Sequence, residues 1–208
     1  MLRAYGLPDV SVLGHMIEPR PTSQPFAQRA GLLFVGAFHT KDCPNLDSLI
    51  WFVDEILPLI EADLGWETRL TIAGYTAPGV DLERFDNHPR ITLRGAVADL
   101  KPLYDGNRVF VAPTRFAAGA PYKVFEAASH GLPVVATELL RRELGWSREQ
   151  EILSADADDP ATFAAAVLAL YRNETLWRTV REGALRRLQR ENGRAGFAEA
   201  VAGVLATP

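Results

Sequence analysis

Residues 108–137 read RVFVAPTRFAAGAPYKVFEAASHGLPVVAT. An apolar strand, RVFVAPT, runs into a small-residue loop at 115–120, and Pro121, a residue favoured at the first helical position, opens a helix. Gly131 reads as the left-handed stop of that helix, with Pro133 beyond it, and PVVAT (133–137) is again an apolar run. Two strands with no polar face, joined by a helix, form a parallel βαβ unit, because only a strand covered on both sides can be apolar throughout.

The same alternation extends in both directions. LLFVGAF (32–38), TRLTIAG (68–74), ITLRG (91–95) and EILSA (151–155) repeat the strand signal. Leu46, Leu49, Ile50, Val53, Ile56, Leu57 and Ile60 recur at helical spacing, which predicts one helix that Asn45 caps and Pro58 bends. Asp159 and Pro160 open a helix with Phe163, Val167, Leu170 and Tyr171 on one face. Asn173 opens another with Leu176, Trp177, Val180, Ala184 and Leu188, and 195–205 add a third. The expected class is α/β: a single Rossmann-like, doubly wound parallel sheet with helices on both faces. It occupies 31–190, followed by a C-terminal helix in 191–208. Residues 1–30, punctuated by Pro8, Pro19, Pro21 and Pro25, read as a linker with one short strand at 10–13.

With 208 residues and 48% hydrophobic content the chain can bury one good core. A net charge of -4 argues against nucleic acid as a partner and leaves small anionic ligands open. The single cysteine, Cys43, makes no internal disulfide, and no cysteine cluster has metal spacing. No apolar leader and no 20-residue apolar run is present, and a cytoplasmic location is expected. GxGxxG after the first strand, GxxxxGK[ST], HExxH and GxSxG are all absent, which weakens oxidoreductase, P-loop, zinc-protease and α/β-hydrolase readings.

In an open parallel sheet, ligands sit beyond the carboxyl ends of the strands. The loop after RVFVAPT lies there, and Ala118, Gly119 and Ala120 offer no side chain to accept from the orphan N–H groups of the next helix. An external anion can take that place, and small residues let it approach. Arg115 and Lys123 flank the loop; a cation in a first helical turn opposes the macrodipole by roughly 0.3–1 kcal/mol, and a diphosphate would offset it. Lys123 and Glu126, at i and i+3, share a face: a phosphate cation beside an acceptor for ribose hydroxyls. The same spacing also suits an ordinary surface salt bridge, and both readings stand. His130 reads as satisfying the last carbonyls before Gly131. His39 and Lys41, in the loop after the first strand at the carboxyl edge, are within reach of a phosphate but read better as members of a solvated loop, and Cys43 as a buried small residue.

The run APTRFAAGAPYKVFEAASHGLPVVAT resembles the donor-binding segment of GT-B glycosyltransferases of the group 1 (family 4) type, with its small-residue loop, K-x-x-E helix and closing G-x-P-V-V. LLFVGAFHTKDCPNLDSLIWFVDEILP is similar to the first strand, glycine loop and helix of the same C-terminal domain, and ADDPATFAAAVLALYRNETLWRTVREGALRR to its closing helices. The resemblance implies a nucleotide-diphosphate-sugar donor, with no metal or other cofactor. Glu126 would accept from the ribose hydroxyls, and Lys123 and Arg115 would hold the diphosphate. Backbone near Gly36 and Ala37 and of the Ala118, Gly119, Ala120 loop would complete the cradle, while Gly95, Ala96 and Val97 would sit near the base.

Two departures accompany it. Ala118 stands where many members carry a glutamate eight residues before the Glu126 equivalent, and the chain holds one Rossmann-like domain where GT-B enzymes have two. It therefore reads as the C-terminal half of a retaining glycosyltransferase. Residues 1–30 would be a remnant of the interdomain connection, and the partner would be a missing N-terminal acceptor-binding domain. Peripheral membrane contact through that missing half stays open. An epimerase-like domain acting on a nucleotide sugar, or a non-catalytic interaction module of the same fold, are the alternatives.

Overall fold

The computed structural model describes residues 14–65, 68–116 and 121–205. Among them six strands form one all-parallel sheet: β1 (Leu32–Val35), β2 (Leu70–Ala73), β3 (Ile91–Leu93), β4 (Val109–Ala112), β5 (Val134–Thr137) and β6 (Leu153–Ala155). Each lies within an apolar run that predicted it. The order is β3-β2-β1-β4-β5-β6, and Leu32 pairs with Leu70 on one side and Val109 on the other. The order reverses between β1 and β4, so the crevice where a ligand would sit opens at their carboxyl ends. This is the doubly wound parallel class expected from the sequence.

Although the strands are mostly apolar, alternate residues feed different layers. Leu32, Phe34, Val109, Val111 and Val135 pack into one core with α1 (Pro44–Trp51), α2 (Leu57–Leu64), α3 (Glu83–Asp86) and, later in the chain, Phe163 and Val167. Leu33, Phe110, Ala112, Val134 and Ala136 pack into the other with α4 (Lys101–Gly106), α5 (Tyr122–Ser129) and α6 (Glu138–Leu144). α7 (Pro160–Arg172) covers the first face, and α8 (Glu174–Glu191) reaches the first core through Val180 and the second through Ala184 and Leu188. α9 (Arg194–Leu205) follows. The Asp159 side chain caps α7 by accepting from Thr162 N at 2.9 Å, and Asn173 caps α8 by accepting from Leu176 N at 3.0 Å.

Three details depart from expectation. The helix read as continuous from 46 to 60 is broken by a π-helical turn, Phe52–Ile56, in which Leu57 N bonds Phe52 O. Pro58 explains it: lacking an N–H and crowding the carbonyl four residues back, it is accommodated by a wider turn rather than a simple bend. The cap of α1 is Cys43, in extended conformation, while Asn45 lies inside the first turn and uses its side chain elsewhere. Pro121 stands just before α5 rather than at its first residue.

Residues 14–30 are irregular apart from a 3-10 turn at Phe26–Gln28, yet they are fastened to the domain. Ile17 N bonds Asn192 O, Arg20 N bonds Ser129 O and Ala30 N bonds Gly106 O. Arg29 is fully buried, donating to the carbonyls of Gln24, Tyr104 and Asn107, with Trp177 against its guanidinium. The strand expected at 10–13 lies outside the described residues. Among those described, no helix is long and apolar enough to cross a membrane.

Candidate functional site

The loops after β1, β2 and β3 lie side by side. Gly36 N donates to Ala73 O at 3.0 Å and Gly74 N to Gly95 O at 2.8 Å. Gly74 has a φ of +149°, and a Cβ there would fall 2.0 Å from the Gly36 carbonyl oxygen, so only glycine permits this approach. A Cβ on Gly36 would lie 2.8 Å from the Asn45 amide carbon, so a larger residue there would displace that side chain. The Gly36 N–H, expected to face a phosphate, is committed to the sheet. Gly95 and Ala96 are exposed and Val97 half-buried at the carboxyl end of edge strand β3.

α5 carries the centre of the site. It starts without a side-chain cap, and its last turn is closed by Gly131 with a φ of +69°. Lys123, in the first turn, reaches back over β1. Its ammonium lies 5.1 Å from the Phe34 ring centroid and donates to Asn45 Oδ1 at 2.7 Å. Burial pushes its pKa from 10.5 down to about 8. Glu126 turns the other way and accepts from the Tyr104 hydroxyl at 3.1 Å; burial, then the charge of Glu126, pushes that phenol up. The two side chains diverge, so the i, i+3 salt-bridge reading fails, and two differently charged groups flank one helix end.

Glu126 also lines a cavity of about 280 Å3 between α5 and residues 16–20, with Tyr122, Ser129 and His130 on one wall and Glu18 and Arg20 on the other. His130 stacks on Tyr104, with ring centroids 4.8 Å apart and planes 14° from parallel. Its ring does not serve the helix-end carbonyls as expected: Nδ1 is buried without a hydrogen bond, and burial lowers its pKa. Stacking on a buried phenol outweighs a cap that the Gly131 turn already supplies through the backbone. His39 and Lys41 are exposed, and Cys43 is half-buried.

Arg115 stands at the mouth of the β4 loop, but it is engaged. Its guanidinium forms a two-bond pair with Asp47 of α1, Nε to Oδ2 at 2.9 Å and Nη2 to Oδ1 at 2.5 Å, with Trp51 beside it. Ala118, Gly119 and Ala120 lie outside the described residues. The structure thus brings Lys123, Gly36 and Ala37 together, sets Glu126 on the flank nearest α4, and leaves Gly95 to Val97 at the far rim. Sequence reasoning missed Asn45 as a site residue, Asp47 and Tyr104. Asn45 did carry a signal, a polar residue after Pro44, but it read as a cap.

A neutral-partnered ammonium and a carboxylate at a topological switch point suit a ligand that carries both phosphate and hydroxyl groups. Comparison with known proteins points the same way. The family model for glycosyl transferases group 1 matches residues 29–173. An uncharacterized 44.6 kDa protein in the cps region of Klebsiella pneumoniae is 26% identical over an alignment of 149 residues, with 68% of this chain and 37% of that protein covered. A crystal structure of an S. aureus TarM mutant with fondaparinux, alpha-GlcNAc-glycerol and UDP superposes with a TM-score of 0.78 at 13% identity, covering 99% of this chain and 42% of TarM. The C-terminal domain of LpcC, a glycosyl transferase group 1 family protein from Francisella tularensis, superposes with a TM-score of 0.67 at 12% identity, covering 85% of this chain and 96% of that domain. The chain therefore spans well under half the length of the curated relative and of TarM, and about the whole of an isolated C-terminal domain. By the match of the family model over most of its length, the chain belongs to the glycosyl transferases group 1 family.

Proposed function

We propose that this chain is the donor-binding part of a retaining, metal-independent glycosyltransferase that takes a nucleotide-diphosphate sugar, the acceptor being held by another domain of the whole protein. The observation that carries the reading is Lys123: a deeply seated ammonium in the first turn of a helix, at the switch point of the sheet, whose hydrogen-bond partner is the neutral Asn45. In this reading the lysine and the open end of α5 hold the diphosphate and stabilise its charge as it leaves. Glu126, oriented by Tyr104, accepts from the ribose hydroxyls. Arg115 joins the phosphates by leaving Asp47, an exchange that costs little because an exposed pair is worth about 0–1 kcal/mol. The UDP bound to TarM, and the UDP and glucose in a structure of Anabaena HepE that superposes with a TM-score of 0.66, favour the same ligand class.

Calorimetry with UDP, ADP and GDP tests the reading. Wild type should bind one of them, and Lys123→Ala and Glu126→Ala should each weaken that binding at least tenfold. Equal binding by all three proteins would remove both residues from the site.

A further inference from the structure

Asn45 does two things at once. Its Nδ2 donates to Ala37 O at 2.9 Å, and its Oδ1 accepts from Lys123 Nζ at 2.7 Å. A carbonyl can only accept and an ammonium can only donate, so both neighbours impose the same amide orientation. The amide also packs against Gly36, where any Cβ would be 2.8 Å away. One side chain in the first turn of α1 thereby ties the loop after β1 to the first turn of α5, the two walls of the crevice.

We propose that Asn45 is a positioning residue whose neutrality matters: it holds the Lys123 ammonium in place for an anionic ligand without neutralising it. This deepens the donor-binding reading and rests on it. Nearby carboxylates are placed elsewhere: Asp47 is held by Arg115, and Glu126 receives the Tyr104 hydroxyl. An aspartate at position 45 would be nearly isosteric and favoured in the first turn of α1; it would give up the donor to Ala37 O but close an ion pair with Lys123 that the diphosphate would have to break. Loss of the Ala37 bond acts on the wall of the crevice and so on nucleoside and diphosphate alike, whereas the new ion pair acts on the diphosphate alone.

The test compares the intact wild-type protein with Asn45→Asp, Asn45→Ala and Lys123→Met. Each is measured for binding of UDP, ADP and GDP, for binding of the parent nucleoside of whichever diphosphate binds, and for thermal unfolding without ligand. Asn45→Asp should keep its affinity for the nucleoside and lose at least tenfold in affinity for the diphosphate, with the lost Ala37 bond set against the new ion pair in unfolding. Asn45→Ala should unfold earlier. If wild type binds the diphosphate and Lys123→Met loses it while Asn45→Asp binds as wild type does, the role of Asn45 falls and the donor reading survives. If Asn45→Asp instead loses nucleoside and diphosphate alike and unfolds early, Asn45 is merely structural. Wild type that binds none of the three diphosphates overturns the donor reading and this inference with it.

Discussion

Lys123 gives the site a pH signature. Its folded pKa of about 8 lies below the ordinary 10.5, so between these values the unfolded chain binds more protons than the folded one, and stability rises with pH. From pH 7 to 9.5 the ligand-free protein should gain about 2 kcal/mol from this group, and Lys123→Met should remove the gain; urea denaturation at both pH values measures it. Diphosphate binding should follow the opposite course, weakening above pH 8 as the ammonium is lost. Asp47→Asn should release Arg115, leave stability within about 0.5 kcal/mol, and strengthen diphosphate binding several-fold at low salt, as a calorimetric salt series would show. Lys123 and Glu126 could be singled out as candidates in the sequence because the signal is local: spacing and an uncapped helix start. Asp47 and Tyr104 were not, because their partners lie 68 and 22 residues away.

At the level of elements, strands were the most legible feature, since each is a mostly apolar run and all but the edge strand β3 are largely buried on both faces. The π-helical turn left no periodic trace: Leu46 to Ile60 keep a helical rhythm across it, and only Pro58 hints at the break. Packing reinforces the turn that Pro58 requires. Phe163 of α7 is fully buried and meets Trp51 and Phe52 edge-on, with centroids 5.8 and 6.1 Å apart, one residue on each side of the junction between α1 and the turn. Phe163→Ala should cost about 3–5 kcal/mol in chemical denaturation, because the helices around it cannot collapse into the space without moving the turn.

For the molecule as a whole, composition and alternation gave the class, whereas residues 14–30 were read as a linker. Proline punctuation indicates irregular backbone, not freedom. Arg29 shows the difference: burial, then the charge of Arg181, lowers its pKa to about 10, and its donors serve three carbonyls from the segment and α4. Arg29→Met should cost about 2–4 kcal/mol, read as a shift in denaturation midpoint, because those carbonyls would stay buried without a donor.

Asn192 acts as a rivet: its carbonyl accepts from Ile17 N and its amide donates to His15 O, while Arg194 N donates to Glu18 beside it. Two passages of chain, 177 residues apart, are therefore clamped at one point. The same short segment touches α5 through His15 on Tyr122 and Arg20 on Ser129. A torque applied to residues 15–20 is thus delivered to the helix that bears Lys123 and Glu126 without first passing through the sheet.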